Sequence, residues 1–383
     1  MGNSLLIKNG TLALDGREVR ADLEIEDGRI KRIDAVIEDF SGDEVFDASD
    51  HLVLPGFIDI HTHGGCGYDM NGITPDQLET LCKFYAAHGV TGVLPTLLSD
   101  SRDRLMDYLT TLARGQETIH TGAEILGIHL EGPYLAREYK GAMPESLLQK
   151  PSLDDLATYQ RVSSGALRLM TVSPEVEGAL EFISAATRVG VRISIGHSGA
   201  DYDVAWAAIH RGAASSTHTF NGMKLPHQHF PAIGGAVLES DIYAEVICDG
   251  RHLHPGMVRI LLKTKSWERI IAVTDSISAS GLGDGAYMLG VNPIVVKDGD
   301  ARLADGSSRA GSTLTADQAF RNLLAYTGES PAKVSWLLSR NPARMLGLDN
   351  KKGTLSVGKD ADLIIMTRDY QMVATFVEGQ KRF

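Results

Sequence analysis

The chain has 383 residues, is 43% hydrophobic, and carries a formal net charge of −12 with a pI near 5.5. That apolar share is ample for a large core, and without a long Lys/Arg run nucleic acid and anionic membrane surfaces are not expected partners. An acidic balance does not exclude a phosphorylated small molecule, because a few local positive groups suffice to bind one.

Length alone suggests two or three domains, although barrels of about 250 residues form single ones. The opening stretch MGNSLLIKNGTLALDG lacks the basic and long apolar regions of a signal peptide. No uninterrupted apolar run approaches the roughly 20 residues of a membrane span. The three cysteines, Cys66, Cys82 and Cys248, are odd in number and form no CxxC pair, which fits a reducing cytoplasm. Cys66 lies close to two histidines and is either part of a site or core filler.

Residues 1–54 read as short strands with turn signals at Asn9-Gly10, Asp15-Gly16 and Asp27-Gly28. Residues 350–383 have the same texture. Together they predict one small β domain built from both ends, 1–54 and 350–383, around a middle at 55–349. That middle is rhythmic. Short runs rich in β-branched residues recur: FIDIHTH (57–63), GVLPTLL (92–98), ILGIHLE (125–131), LRLMTVS (167–173), VRISIGH (191–197), ASSTHTF (214–220), AEVICDG (244–250) and IIAVTDS (270–276). Segments such as TPDQLETLCKFYAAHG and VEGALEFISAATRVG lie between them, with apolar residues at three- and four-residue intervals and a closing Gly. Eight strands alternating with helices predict an α/β fold, a parallel (β/α)8 TIM-like barrel. A doubly wound open sheet is the alternative, but neither a GxGxxG turn nor a Walker A loop is present.

The strand ends carry the chemistry. The first run ends in His61 and His63, whose spacing of two aims both imidazoles to one side of a strand. Glu131, His197, His218, Asp249 and Asp275 close later runs. Active sites of such barrels sit at the C-terminal ends of the strands. The strand interiors FIDI, ILGI, ISI and IIAV are nearly pure hydrocarbon, so packing drives polar groups to the mouth. Taken singly, His197 could be a satisfied core histidine and Asp275 a helix N-cap. Histidines with a carboxylate suit a divalent metal, zinc first, with iron and manganese also fitting. Asp275 is the candidate general acid/base, and the implied reaction is hydrolysis of an amide or related C–N bond.

The motifs PGFIDIHTHG, HLEGPY, GHS, THTFNGM, DGRH, VTDS and AGSTLT, in this order, resemble the N-acetylglucosamine-6-phosphate deacetylases of the amidohydrolase superfamily; N-acetylgalactosamine-6-phosphate deacetylases look equally similar. The resemblance spans nearly the whole chain. It implies a metal-dependent barrel with a β-sandwich, usually a homodimer, that releases acetate from an N-acetyl amino sugar 6-phosphate. It also implies that Glu131, His197 and His218 form the main metal site, that His61 and His63 allow a second metal, and that Asp275 moves the proton. His252 then contacts the sugar, and Asn221 and Gly222 lie in the stretch that binds it. Two positions depart. Where the family normally has GAH, this chain has Gly141-Ala142-Met143, and a thioether cannot donate a hydrogen bond. Where the family has an Arg-Glu-Pro-Gly segment whose arginine reaches the phosphate in the partner subunit, this chain has His229-Phe230-Pro231-Ala232. Arg251, His227 or His229 is then left to meet the phosphate, with Arg251 equally an ordinary surface residue. Two alternatives stay open: a related amidohydrolase acting on a non-phosphorylated or differently acylated substrate, and a non-catalytic binding protein.

Overall fold

Eight parallel strands form the centre of the molecule, which a computed structural model describes over residues 4–383. They are β1 (Phe57–Thr62), β2 (Val90–Leu98), β3 (Ile128–Glu131), β4 (Leu167–Val172), β5 (Arg192–Ile195), β6 (Ala213–Ser216), β7 (Tyr243–Ile247) and β8 (Ile270–Val273). Each pairs with its successor in parallel, from β1 with β2 through β7 with β8. The ring closes just beyond β8. There the Asp275 amide donates to the His61 carbonyl at 2.8 Å, and Thr62 bridges Ser276 in parallel. All eight expected runs are strands. Those at β1 and β2 are buried along their whole length, as strands covered on both faces must be.

The expected helices wrap the ring. Pro75–Ala87 starts at Thr74, whose hydroxyl caps the Gln77 amide while Gln77 reaches back, with Pro75 in the first turn. Its buried residues Leu78, Leu81, Cys82, Tyr85 and Ala86 make a stripe at helical spacing toward the strands. Arg102–Thr118, Ala179–Arg188 and Tyr202–His210 repeat the pattern.

Both ends of the chain contribute to one further sheet. Its order runs Gln380–Lys381, Met372–Val377, Leu363–Met366, Leu52–Pro55, Ser4–Leu14, Arg17–Glu26, Arg29–Asp34, and Glu44–Asp47 also pairs with Ser4–Leu14. The strands form one continuous sheet folded over its own core of Leu23, Ile25, Ile30, Val53, Leu363, Ile365 and Phe376. Phe46 and Phe376 meet edge to face across that fold, 5.9 Å apart. Asp15-Gly16 and Asp27-Gly28 both hold positive φ, as tight hairpin turns require. Asn9-Gly10 is no turn. It is a bulge inside Ser4–Leu14, where the register with Arg17–Glu26 shifts between Ile7 and Gly10. Only Gly56 separates this sheet from β1.

One element was not expected. Gly285–Leu289, Asn292–Lys297 and Asp300–Leu303 form an antiparallel meander after β8. Its apolar side, Leu289, Ile294, Val296 and Ala301, packs on Leu98, Leu135 and Met143 beside the barrel mouth.

Candidate active site

The strands deliver their terminal side chains to one buried cluster. His61 and His63 come from the end of β1, and Glu131 is the last residue of β3. His197, His218 and Asp275 each sit two residues past β5, β6 and β8, and each has a positive φ, of 48°, 27° and 49°. Non-glycine residues rarely occupy that region, and such strain collects at functional sites. Asp275 caps no helix; its carbonyl accepts from the Ser312 amide at 2.7 Å.

Distances within the cluster are short. Glu131 Oε1 lies 3.1 Å from His197 Nε2 and 3.1 Å from His218 Nε2, and those two nitrogens are 3.1 Å apart. Glu131 Oε2 is 3.2 Å from His63 Nε2. Asp275 Oδ1 is 3.3 Å from His63 Nε2 and 3.5 Å from His61 Nε2. Two ligand sets follow, His61–His63–Asp275 and Glu131–His197–His218, all buried.

The other ring nitrogens settle what this arrangement wants. His63 Nδ1 meets the Thr96 carbonyl at 3.1 Å, His197 Nδ1 the Tyr139 carbonyl at 2.7 Å, and His218 Nδ1 the Asn221 carbonyl at 3.1 Å. A carbonyl only accepts, so each Nδ1 carries the proton and each Nε2 of a neutral ring presents a lone pair. His61 Nδ1 meets the Glu245 carboxylate at 3.1 Å. Four lone pairs and two carboxylates facing one another at these distances repel unless a cation lies among them. Outer hydrogen bonds of this kind are how metal-binding histidines are oriented. The charge balance points the same way: where no cation lies among these groups, protons on the rings supply the missing positive charge. Burial alone would lower the His61 and His63 pKa values, yet the fields and hydrogen bonds of Glu131 and Asp275 push them up to about 9 and about 10. Burial likewise works against the Asp275 charge, but the histidines hold its pKa down at about 2, and Glu131 falls well below the carboxylate range for the same reason.

Two glycines let the backbone close on His197. A Cβ on Gly141 would stand 3.0 Å from its Cε1, and one on Gly222 would stand 3.1 Å from its Nδ1; both glycines have positive φ. Gly222, expected to touch sugar, thus also seats a metal-type ligand.

His63, Glu131, His197, His218 and Asp275 form the floor of a cavity of about 350 Å³, with His61 buried behind them. His252, Asn221, Gly222 and Met143 line it, as do Glu138, Tyr139, Ser308 and Arg309. His252 donates Nδ1–H to Asp249 at 2.7 Å, so Asp249 orients His252 and stands outside the metal-type cluster. Met143 is buried against Leu98 and Leu289 and offers an apolar wall. His229 and Arg251 are exposed, and neither is among the described residues lining the cavity; Arg251 is bonded to the Asp298 carbonyl. Several positions went unremarked in the sequence. Glu245 is fully buried on β7, and a charge in the middle of the apolar run AEVIC was a readable sign. Tyr139 acts through its backbone. Ser308 and Arg309 lie in a polar loop with no distinguishing pattern.

A parallel (β/α)8 barrel with imidazoles and carboxylates gathered at its C-terminal rim has the architecture of a barrel hydrolase. The Amidohydrolase family profile matches residues 52–382, and the chain belongs to that family. Within it, the chain belongs with the N-acetyl amino sugar 6-phosphate deacetylases. It is 34% identical to N-acetylgalactosamine-6-phosphate deacetylase of Escherichia coli O157:H7, covering 94% of this chain and 93% of that one. It is 31% identical to N-acetylglucosamine-6-phosphate deacetylase of Bacillus subtilis (strain 168), covering 100% and 98%. Among solved structures, a mutant N-acetyl-D-glucosamine-6-phosphate deacetylase from Mycobacterium smegmatis, in complex with N-acetyl-D-glucosamine-6-phosphate, superposes with a TM-score of 0.92 at 31% identity over 100% of this chain and 99% of that chain. Among the described residues no helix is long and apolar enough to cross a membrane.

Proposed function

We propose that this protein hydrolyses the N-acetyl group of an amino sugar 6-phosphate, N-acetylglucosamine 6-phosphate or N-acetylgalactosamine 6-phosphate, to acetate and the amino sugar phosphate. The observation that carries this is the convergence of four Nε2 atoms with Glu131 and Asp275 at and just behind the floor of a sugar-sized cavity. Glu131, His197 and His218 would hold one divalent ion, and His61 and His63 give a second set; zinc fits such imidazole-rich donors first, with iron and manganese also suited. A bound ion would supply water ionised near neutral pH and polarise the amide carbonyl.

The chain's own groups do the rest. Asp275, ionised and in reach of the cluster, takes the proton of the attacking water on a carboxylate oxygen and passes it to the departing amide nitrogen. His252, its Nδ1 fixed by Asp249, turns its remaining nitrogen to the sugar. Met143 and Leu289 exclude water from the acyl end, and a thioether wall leaves carbonyl polarisation to the floor. The exposed Leu225 and Phe230 beside His229 support a homodimer, which light scattering would test. The free Cys66, Cys82 and Cys248 support a reducing cytoplasm.

The decisive experiment follows acetate release by metal-loaded protein from both phosphosugars and from their free sugars, with elemental analysis of the same sample. Turnover of at least one phosphosugar is expected. Metal-loaded, folded protein that releases acetate from none of them overturns the proposal.

A further inference from the structure

The motif AGSTLT, Ala310–Thr315, follows the meander and supplies neither a metal-type ligand nor an acid or base. It runs beside the chain just past β8. Ser276 bridges Thr62 in parallel on one side and Ser312 in parallel on the other. Ser312 then bonds three backbone groups around Asp275. Its hydroxyl donates to the Thr274 carbonyl at 2.6 Å and its amide to the Asp275 carbonyl at 2.7 Å, while its own carbonyl accepts from the Ile277 amide at 3.0 Å. Asp275 has a φ of 49°, a region that side-chain-bearing residues keep only where their surroundings impose it. From the β1 side, the Asp275 amide donates to the His61 carbonyl at 2.8 Å, and Asp59 takes the Thr274 hydroxyl at 2.6 Å. The AGST segment completes the restraint from the opposite side. Gly311 lets it lie so near. A Cβ there would stand 2.4 Å from Ile277 Cγ2, 2.9 Å from the Asp275 carbonyl oxygen and 3.7 Å from Asp275 Oδ1, the oxygen that faces His61 and His63. Gly311 also lines the cavity, so the segment reaches the wall beside Asp275. The meander anchors it in turn: the Ala310 amide donates to the Ala301 carbonyl at 3.1 Å, and the Thr313 hydroxyl to the Gly299 carbonyl at 2.9 Å.

We infer that Ser312, seated by Gly311, is a positioning residue for Asp275: it holds the Asp275 backbone in the left-handed conformation that aims the carboxylate into the cluster. The meander keeps both residues in place. Ser312 acts only through Asp275 and makes no contact with the substrate in this role. Proton transfer depends steeply on where the carboxylate sits, and a misplacement of about 1 Å can cost about 100-fold in rate. The hydroxyl is the replaceable part of this arrangement, because the other two bonds of Ser312 are made by its backbone. This inference rests on the deacetylase reading above.

The test places Ser312→Ala and Ser312→Cys in wild-type holoenzyme and in Asp275→Asn. It measures kcat and KM for N-acetylglucosamine 6-phosphate and N-acetylgalactosamine 6-phosphate, with metal content and thermal unfolding on the same samples. Ser312→Ala takes the hydroxyl from the Thr274 carbonyl and from the Leu314 amide, which donates to it at 3.0 Å. It is expected to lower kcat by about 10- to 100-fold, with KM and metal content within about threefold of wild type. Ser312→Cys keeps a weak donor and falls between. In Asp275→Asn the same changes should lower the residual rate by less than about threefold, because no proton carrier is left to aim. A merely structural role would lower both backgrounds alike. Folded Ser312→Ala that keeps kcat within about threefold of wild type overturns the inference, and so does a loss as large in Asp275→Asn as in wild type. Should Ser312→Ala not fold, Ser312→Cys carries both comparisons under the same criteria. Release of acetate from neither phosphosugar by wild type removes the function on which the inference rests, a result distinct from either of these.

Discussion

Glu245→Gln tests whether the cluster is held from behind as its geometry demands. Glu245 is fully buried, and its Oε2 takes both His61 Nδ1 at 3.1 Å and the His218 amide at 3.2 Å. One oxygen thus orients a ligand from each of the two sets. The glutamine keeps the shape and one acceptor but loses the charge. A hydrogen bond to a charged group contributes about 1.5–3 kcal/mol and a neutral one about 0.5–1.5 kcal/mol, so His61 loses roughly 1–2 kcal/mol of fixation. That difference corresponds to about a 10-fold loss of metal affinity, within the 10- to 100-fold typical of outer-partner mutations. Glu245 Oε1 has no partner, so the new NH2 group sits buried and unmatched, and the variant should also unfold at a lower temperature. Competition with a chelator of known affinity, combined with elemental analysis, measures the change. The expected result is a weakening concentrated in the site that contains His61. A folded variant whose metal affinities both stay within about twofold of wild type would refute the argument that Nδ1 partners hold these rings.

Three further outcomes are expected. Asp275→Asn should cut kcat by about 10²- to 10⁴-fold while the Glu131–His197–His218 set still binds metal, because the proton carrier is lost and that set is untouched; ordinary turnover would remove Asp275 from the mechanism. Gly222→Ala should lower metal occupancy and melting temperature together, since φ of 53° is strained for alanine and its methyl would press on His197 Nδ1 at 3.1 Å; full occupancy measured on the folded variant would contradict this. Asp317 is the pH prediction. Burial opposes its charge, but His88 Nδ1 at 3.0 Å and Arg321 at 2.8 Å hold its pKa down at about 2. A depressed carboxylate pKa stabilises the fold above the ordinary value near 3.8 and loses that effect as pH falls toward 2. Asp317→Asn should therefore cost on the order of 2 kcal/mol near neutral pH, with the gap from wild type narrowing below pH ~4 in denaturant titrations; a gap independent of pH would count against it.

The barrel was legible because runs such as FIDI and IIAV need cover on both faces, and eight of them alternating with helices, with neither a GxGxxG turn nor a Walker A loop, favour a closed ring whose polar strand ends gather at a rim. That is why His61, His63, Glu131, His197, His218 and Asp275 could be placed on one rim from spacing alone. What orients them could not. The Nδ1 acceptors are backbone carbonyls of Thr96, Tyr139 and Asn221, and a carbonyl has no letter in the sequence. The meander was hidden by scale: Gly285–Leu303 alternates like any short β segment, and nothing local says which surface it covers. Asn9-Gly10 shows a different limit. The dipeptide specifies positive φ, which serves a bulge as well as a turn, and the pairing with Arg17–Glu26 decided between them. Asp249 looked like a strand-end ligand, and only the distance to His252 assigns it elsewhere.

The sheet shared by the two ends has a consequence for how the protein is born. Leu52–Pro55 has one edge against Ser4–Leu14 and the other against Leu363–Met366, roughly 300 positions downstream. At about 5–20 residues per second, the nascent chain carries that second edge bare for about 15–60 s on the ribosome. An apolar strand with open hydrogen-bonding groups invites pairing with other chains for that whole interval, so crowded expression is when this protein is most exposed to aggregation.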